Sequence, residues 1–407
     1  MSRSDTDPLW ELPQPPSAES RARSDRPAAS PGRAARAAKS AKGSRSSRGA
    51  KGKRQPADTD PIARVLVDVP LAHLDRTFDY QVPRELAETA VPGCRVRVRF
   101  AGQLVDGYLL ERAATSDYTR RLAFLERVVS PERVLPPALL RVCQAVARRY
   151  GGTLADVVRL AVPPRHARVE AEPPRPPAAV ASAPDPSGWR AYPRGPAFFS
   201  AVRDGKAARA VWQARPGEDW PRRLAELATA VAAGGRGAVL VVPDHRDVAR
   251  VHAACAALAG DDSVVALSAG LGPAERYRRW LAVVRGAVRI VVGTRAAMFA
   301  PVADPGLYVV WDDGDDLHVD PHAPYPQVRD VLLLRAHTDA ASVLVAGHSR
   351  TAEAQLLVET GWAHSIVAPR EELRAHAPRV TPTGEDFDVA RDEAARAARL
   401  PAVAFEA

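Results

Sequence analysis

Two stretches carry residue types that could handle a nucleotide. Between Val288 and Asp320 the chain reads as two buried apolar runs, each ending in polar residues: Gly293-Thr294-Arg295 after the first, and Trp311-Asp312-Asp313-Gly314-Asp315-Asp316 after the second. In a parallel sheet such loops lie beyond the carboxyl ends of the strands, where ligands bind. An acid there would hold the Mg²⁺ of a nucleoside triphosphate. It needs a glycine-rich loop whose N–H groups wrap the phosphates, with a lysine on the β/γ oxygens and a Ser or Thr on the metal. The stretch standing there is Val211 to Pro221, and only Gly217 of that pattern is present. The lysine position falls on Glu218 or Asp219, and a carboxylate repels a triphosphate. Pro216 removes a backbone donor, while Trp220 and Pro221 crowd the helix start where phosphate would sit. In the acidic loop the metal-binding Asp position falls on Trp311 and the following acids are Asp312 and Asp313. Indole cannot ligate Mg²⁺. Sliding the register gives Asp312 to the metal but restores no phosphate loop. Two losses in one site predict a degenerate nucleotide site without catalytic residues.

A second chemistry is open to the same loop. Asp312, Asp313, Asp315, Asp316, His318, Asp320 and His322 form a dense run that could bind a divalent cation, as nuclease sites do. Its spacing is not that of an EF-hand, and the plainer expectation is a solvated acidic loop with no metal. Cys94, Cys143 and Cys255 are scattered and suggest neither a disulfide framework nor a CxxC zinc site.

The elements that must position these residues alternate. From Trp189, strands are expected near Ala210–Gln213, Gly237–Val242, Ser263–Leu267, Val288–Val292, Leu307–Trp311 and Ser342–Ala346. Helices are expected at Trp220–Ala233, Asp244–Leu258, Pro273–Arg285, Tyr325–Ala336 and Thr351–Thr360. That alternation means a parallel sheet covered by helices, spanning 189–370. Before it, residues 61–130 read as a small, mostly antiparallel β domain. Within it Cys94–Phe100 alternates, Cys94, Val96, Val98 and Phe100 inward and Arg95, Arg97 and Arg99 outward. Residues 131–170 switch to helical spacing, with Thr153 as an N-cap, and suit a winged-helix-like pair or a plain helical hairpin. Residues 171–188 are Pro/Ala-rich and read as a linker. Residues 371–407 show no clear strand and read as a truncated remnant.

The net charge of +9 is concentrated at one end. Ser20 to Arg54 holds 12 Lys/Arg and one acid, a balance of +11, so the rest of the chain carries −2. Residues 1–60 therefore read as a disordered basic tail that could condense on phosphate backbones or could be a tolerated extension. No apolar run approaches the ~20 residues of a membrane helix, and no apolar signal segment opens the chain. A cytoplasmic, nucleoid-associated protein with no membrane partner is the expectation.

One set of motifs resembles a known family. Val69-Pro-Leu, Arg76-Thr-Phe-Asp-Tyr80 and Pro92-Gly-Cys-Arg-Val-Arg-Val98 with Phe100 are similar to the opening DNA-binding domain of the PriA (primosomal protein N′) family of replication-restart proteins. In the second half Val239–Pro243, Leu267–Leu271, Ala274–Arg276, Val291–Pro301 and Arg335–His337 resemble that family's first RecA-like helicase lobe. The resemblance covers roughly residues 61–370. It implies that the β domain grips the 3′-terminal nucleotide of a nascent strand, with Phe78 offering a stacking face and Asp79 accepting a hydrogen bond from the 3′ hydroxyl. The family's turn glycine falls on Ala101, with Gly102 beside it. Its lysine has no clean match, Arg121 being nearby. Thr294 and Arg295 would contact DNA. The implied partners are branched or fork DNA, the primosome and the replicative-helicase loading proteins. The family also binds ATP with Mg²⁺ and zinc. Neither is expected here, because the phosphate loop, zinc cysteines and second helicase lobe have no counterpart. The resulting expectation is a replication-restart protein that recognises stalled forks without helicase activity. The alternatives are an ATP-dependent 3′–5′ helicase with a divergent site, and an assembly factor whose DNA contact comes from the basic tail.

Overall fold

A computed structural model describes residues 54–378, apart from Pro70, Ala181 and Ala269. Most of the expected basic tail and the C-terminal remnant lie outside the described residues. Order begins earlier than the expected Pro61. Ala57 is buried and its N–H donates to the carbonyl of Val82 at 2.8 Å, so the residues before β1 are stitched to the first sheet.

That sheet has five strands in the order β2-β1-β4-β3-β5: β1 Ile62–Val67, β2 Thr77–Gln81, β3 Arg95–Phe100, β4 Gln103–Ala113 and β5 Arg127–Ser130. Every pairing is antiparallel. The hairpin between β3 and β4 turns on Ala101 and Gly102, at φ 47° and 82°. A two-residue turn with both central φ positive matches the twist of its strands. Gly102 takes this freely, whereas Ala101 carries a Cβ in a conformation that favours glycine.

The sheet packs against apolar residues on both faces. One face gathers Ala63, Val65, Val67, Tyr80, Val96, Val98 and Leu109. The other presents Leu66 and Tyr108 to α1 (Pro137–Tyr150) and α2 (Leu154–Ala161) through Leu139, Val142, Val146 and Val158. Apolar residues at i, i+3, i+4 and i+7 give α1 its buried stripe. Gly151, at φ 64°, ends it in the left-handed conformation. The Thr153 hydroxyl accepts from Asp156 N–H at 3.1 Å and caps α2, as its sequence implied. Because these helices pack on the strands, the division drawn at residue 130 separates no packing unit. Between β5 and β6 (Arg209–Gln213) the described residues contain no strand, so the segment has a helical pair and the short α3 (Ala167–Glu170) but no β wing.

The second sheet has seven strands in the order β12-β6-β11-β10-β7-β9-β8, all parallel. Its further strands are β7 Gly237–Val241, β8 Val264–Leu267, β9 Ile290–Gly293, β10 Pro305–Trp311, β11 Ser342–Gly347 and β12 His364–Val367. The helices are α4 Gly195–Arg203, α5 Trp220–Ala233, α6 His245–Ala259, α7 Pro273–Val284, α8 Val328–Thr338, α9 Ala352–Glu359 and α10 Arg370–His376. The expected helix at Tyr325 starts three residues later, at Val328, where the Gln327 side chain caps it. Residues expected to form a free linker are instead tied down. Glu172 pairs with Arg278 at 2.7 Å and Ala178 N–H donates to the Ala287 carbonyl at 3.2 Å.

Candidate nucleic-acid interface and the filled nucleotide site

Strand β2 is an edge of the first sheet. Successive side chains of a strand point to opposite faces, and the register puts Phe78 opposite Val65 and Asp79 opposite Arg64. Phe78 thus faces the strand core and Asp79 faces the helix side. The sequence-based expectation set both on one nucleotide; the pleat separates them. The Phe78 ring packs edge-on against Phe100, centroids 4.8 Å apart, and carries the Arg76 guanidinium 5.0 Å from its centre. It is therefore no bare stacking platform. Phe100 immediately precedes the Ala101–Gly102 turn.

On the helix side Asp79 lines a cleft of about 520 Å³ with Arg64, Thr77, Leu110, Glu111, Asp117, Leu140 and Gln144. The Ser116 hydroxyl donates to Asp79 Oδ2 at 2.5 Å and accepts the Tyr118 N–H at 3.1 Å. Glu111 is held by Arg64 at 2.9 Å. Gln81 uses its N–H and C=O outward, toward Ala123 and Leu125 at 2.8 and 2.9 Å. By the same two-residue parity, Asp79 turns its own N–H and C=O to the sheet edge. The Tyr118 ring is exposed. Ser116 and Tyr118 escaped sequence reasoning because nothing in the irregular run 114–121 signals which hydroxyl returns to β2. Arg121 does not line the cleft.

The outward arginine row is spent internally. Arg97 makes a two-point contact with Asp106 at 2.6 and 2.8 Å, and that guanidinium holds the Asp106 carboxyl below the usual carboxylate range. Arg99 pairs with Glu126 at 3.0 Å, and Arg95 donates to the Pro163 carbonyl at 2.6 Å.

At the carboxyl end of the parallel sheet, the loops after β6, β10 and β11 meet. Ala214 N–H donates to the Gly347 carbonyl at 2.9 Å, and Asp312 N–H to the Ala346 carbonyl at 2.7 Å. Between these loops the space is taken by rings. Trp311 stacks on Trp220 with centroids 4.0 Å apart and planes 6° from parallel, Trp212 lies 5.9 Å from Trp311, and His348 meets Trp311 edge-on at 5.2 Å. Arg250 covers the Trp220 ring at 4.9 Å.

The loop's polar groups are engaged as well. Glu218 is buried between Arg215 at 3.1 Å and Arg223 at 3.3 Å, and the Tyr192 hydroxyl donates to it at 2.8 Å. Asp219 caps α5 by accepting from Arg222 N–H at 3.3 Å, filling the position an anion would take at a helix N-terminus. Gly217, at φ 73°, serves the turn between them. Burial raises the Glu226 carboxyl, which Arg223 contacts at 2.7 Å. The residues present do not fit ATP with Mg²⁺.

The acid/imidazole run does not converge either. Asp313 is buried, paired with Arg329 at 2.8 Å, and accepts from the Thr351 hydroxyl at 2.7 Å. Asp315 accepts from Leu317 N–H at 2.8 Å; Asp320 faces His322 at 3.0 Å and Arg295 at 3.7 Å. His318 is buried with Nε2 against the Trp311 carbonyl at 2.9 Å, and burial lowers its pKa. Asp312 sits at φ 55° with its side chain outward. Among the described residues, no group of three or more His, Cys, Asp or Glu side chains is placed to hold a metal ion. The three cysteines are buried apart from one another, and burial pushes Cys143 and Cys255 up to about 12. They do not fit a zinc site. Thr294 follows β9, and Arg295 also reaches the Leu317 carbonyl at 3.4 Å; both are half-buried.

Residues 64–163 match the family model of the PriA 3′ DNA-binding domain. That match runs through β1–β5, α1 and α2, the strands and helices that pack as one unit. The "probable replication restart protein PriA" of Mycobacterium tuberculosis (strain H37Rv) is 55% identical over 337 residues, which is 82% of this chain and 52% of that protein. The Mycobacterium leprae protein of the same description is 50% identical over 340 residues, 82% of this chain and 52% of its own length. That of Deinococcus radiodurans is 39% identical over 102 residues, 24% of this chain and 11% of its own length. The chain spans about half the length of the mycobacterial relatives it matches.

Proposed function

We propose that this chain, a relative of the PriA replication restart proteins, binds branched DNA at replication forks by reading a free 3′ end, and does so without ATP-driven unwinding. The observation that carries the reading is the cleft at the β2 edge. It places a carboxylate, oriented by Ser116, beside outward-facing backbone groups of the same residue. Asp79, Asp117 and Glu111 outnumber the single cation Arg64 there. A neutral 3′ hydroxyl can donate to Asp79, whereas a 3′ phosphate would meet like charge. Tyr118, exposed next to Asp117, supplies the stacking face that Phe78 does not offer on this side. Phe78 and Phe100 instead support the hairpin turn from the opposite face.

The α/β lobe serves as a rigid scaffold for DNA or for primosome and helicase-loading partners. Stacked indoles and an engaged Glu218 leave no cradle for a triphosphate. The test is binding to two forks that differ only in a 3′ hydroxyl or a 3′ phosphate on the nascent strand. The hydroxyl fork should bind more tightly, and Asp79→Ala should erase the difference. Equal affinity of the wild-type chain for both would sink the end-reading claim.

A further inference from the structure

Helix α1 forms one wall of the Asp79 cleft, through Leu140 and Gln144. It carries Arg141, Arg148 and Arg149 and no acid over 14 residues. Arg149 is drawn toward Asp330 at 3.6 Å. Arg141 and Arg148 are exposed, and among the described residues no carboxylate lies within ion-pairing distance of either. Several other arginines of this domain are occupied, Arg64 by Glu111, Arg97 by Asp106, Arg99 by Glu126 and Arg159 by Asp68, whereas Arg76, Arg120, Arg121, Arg127 and Arg133 are exposed without a carboxylate partner among the described residues. Arg141, Gln144 and Arg148 stand at i, i+3 and i+7, which is one ridge of the helix. The ridge is about 10 Å long at 1.5 Å per residue. Measured along the duplex axis, at 3.4 Å of rise per phosphate of one B-form strand, that length covers about three phosphates.

The sign of the charge changes at the rim. Inside the cleft acids predominate; outside, along α1, two cations stand uncompensated. A strand whose terminal nucleoside enters the cleft must place its phosphates outside, and α1 both lines the cleft and carries unpaired cations on its outer ridge. We propose that the Arg141–Gln144–Arg148 ridge holds the phosphate backbone of the strand that ends in the Asp79 cleft, and so sets the direction in which that strand leaves the protein. The inference rests on the end-reading function proposed above.

The test uses the full chain and a labelled fork with a recessed 3′ hydroxyl, titrated across a salt series. Each phosphate contact contributes about 0.9 to the slope of log affinity against log salt. Arg141→Gln/Arg148→Gln should lower that slope by about 2 and weaken binding roughly tenfold, while keeping the preference for hydroxyl over phosphate ends. Arg246→Gln/Lys206→Gln removes the same charge from exposed positions on the α/β lobe and should leave the slope nearly unchanged. Both pairs are exposed, so melting temperatures should match wild type. An unchanged slope in the α1 pair, or an equal drop in both pairs, would overturn the proposal. If the α1 pair lowers the slope but Asp79→Ala leaves end preference intact, the ridge is a phosphate contact but the claim that its strand ends in the Asp79 cleft is overturned.

Discussion

The β2 edge and the carboxyl end of the parallel sheet are both places where a chain of this architecture could meet a nucleotide, and they are built in opposite ways. At the edge, Asp79 keeps one side-chain partner, Ser116, and its backbone groups turn outward beside an open cleft. At the sheet end, Glu218 has three partners, Asp313 has two, and three indoles occupy the centre. A ligand site needs hydrogen-bonding groups that folding leaves uncommitted. A site that has joined the core has committed them. The difference teaches that the same acidic residue type can mark an interface or a sealed interior, and that partners decide which.

The largest effect expected from breaking this comparison is on stability. Trp311→Ala removes the middle ring of the stack and should cost about 3–5 kcal/mol, a fall in Tm on the order of 10 °C in thermal melts. If instead the mutation left Tm unchanged, the rings would not be core. Asp79→Ala sits at the open edge and should behave in the opposite manner. Its Tm should stay near wild type while its affinity for a 3′-hydroxyl fork drops about tenfold to a hundredfold, the worth of a hydrogen bond to a charged acceptor, read by fluorescence anisotropy.

Acidification probes the sealed region separately. Burial holds His318 below its ordinary value of 6.5. With the folded pKa depressed, the unfolded chain takes up the proton first. The contribution is therefore present above the unfolded value and is lost as pH falls through the folded one. Tm should fall as the pH drops below about 6.5, and His318→Asn should shrink that fall. The smallest effect belongs to Ser116→Ala, which leaves Asp79 in place but unoriented. Fork affinity should fall about fivefold, as for one ordinary hydrogen bond, with end preference reduced rather than lost.

Much of the frame was legible in the residues. The bounds of Trp220–Ala233 follow from its sequence, because cap, proline and apolar spacing agree. The alternation of Cys94–Phe100 marks the buried Cys94, Val96 and Val98, while Arg95, Arg97 and Phe100 are half-buried. The departure of Val211–Pro221 from a phosphate-loop pattern is a local feature of the sequence. What fills the site is not. Trp212, Trp220 and Trp311 come from three separate elements, and only the order of β6, β11 and β10 in the sheet brings them together. The split of Phe78 from Asp79 follows from the two-residue period of a strand and could have been drawn from it. The family motif, in which the two are adjacent, suggested a shared pocket instead. Strand β12 and helix α4 are short, four and nine residues, with too few turns or pleats to show a period.

The claim that one region has stayed open while the other has closed is tested most directly by ATP turnover on the purified full chain, with and without fork DNA. No hydrolysis above background is expected at millimolar ATP and Mg²⁺, and fork DNA should not change that. Turnover that rises with fork DNA and disappears in Asp312→Ala would contradict it.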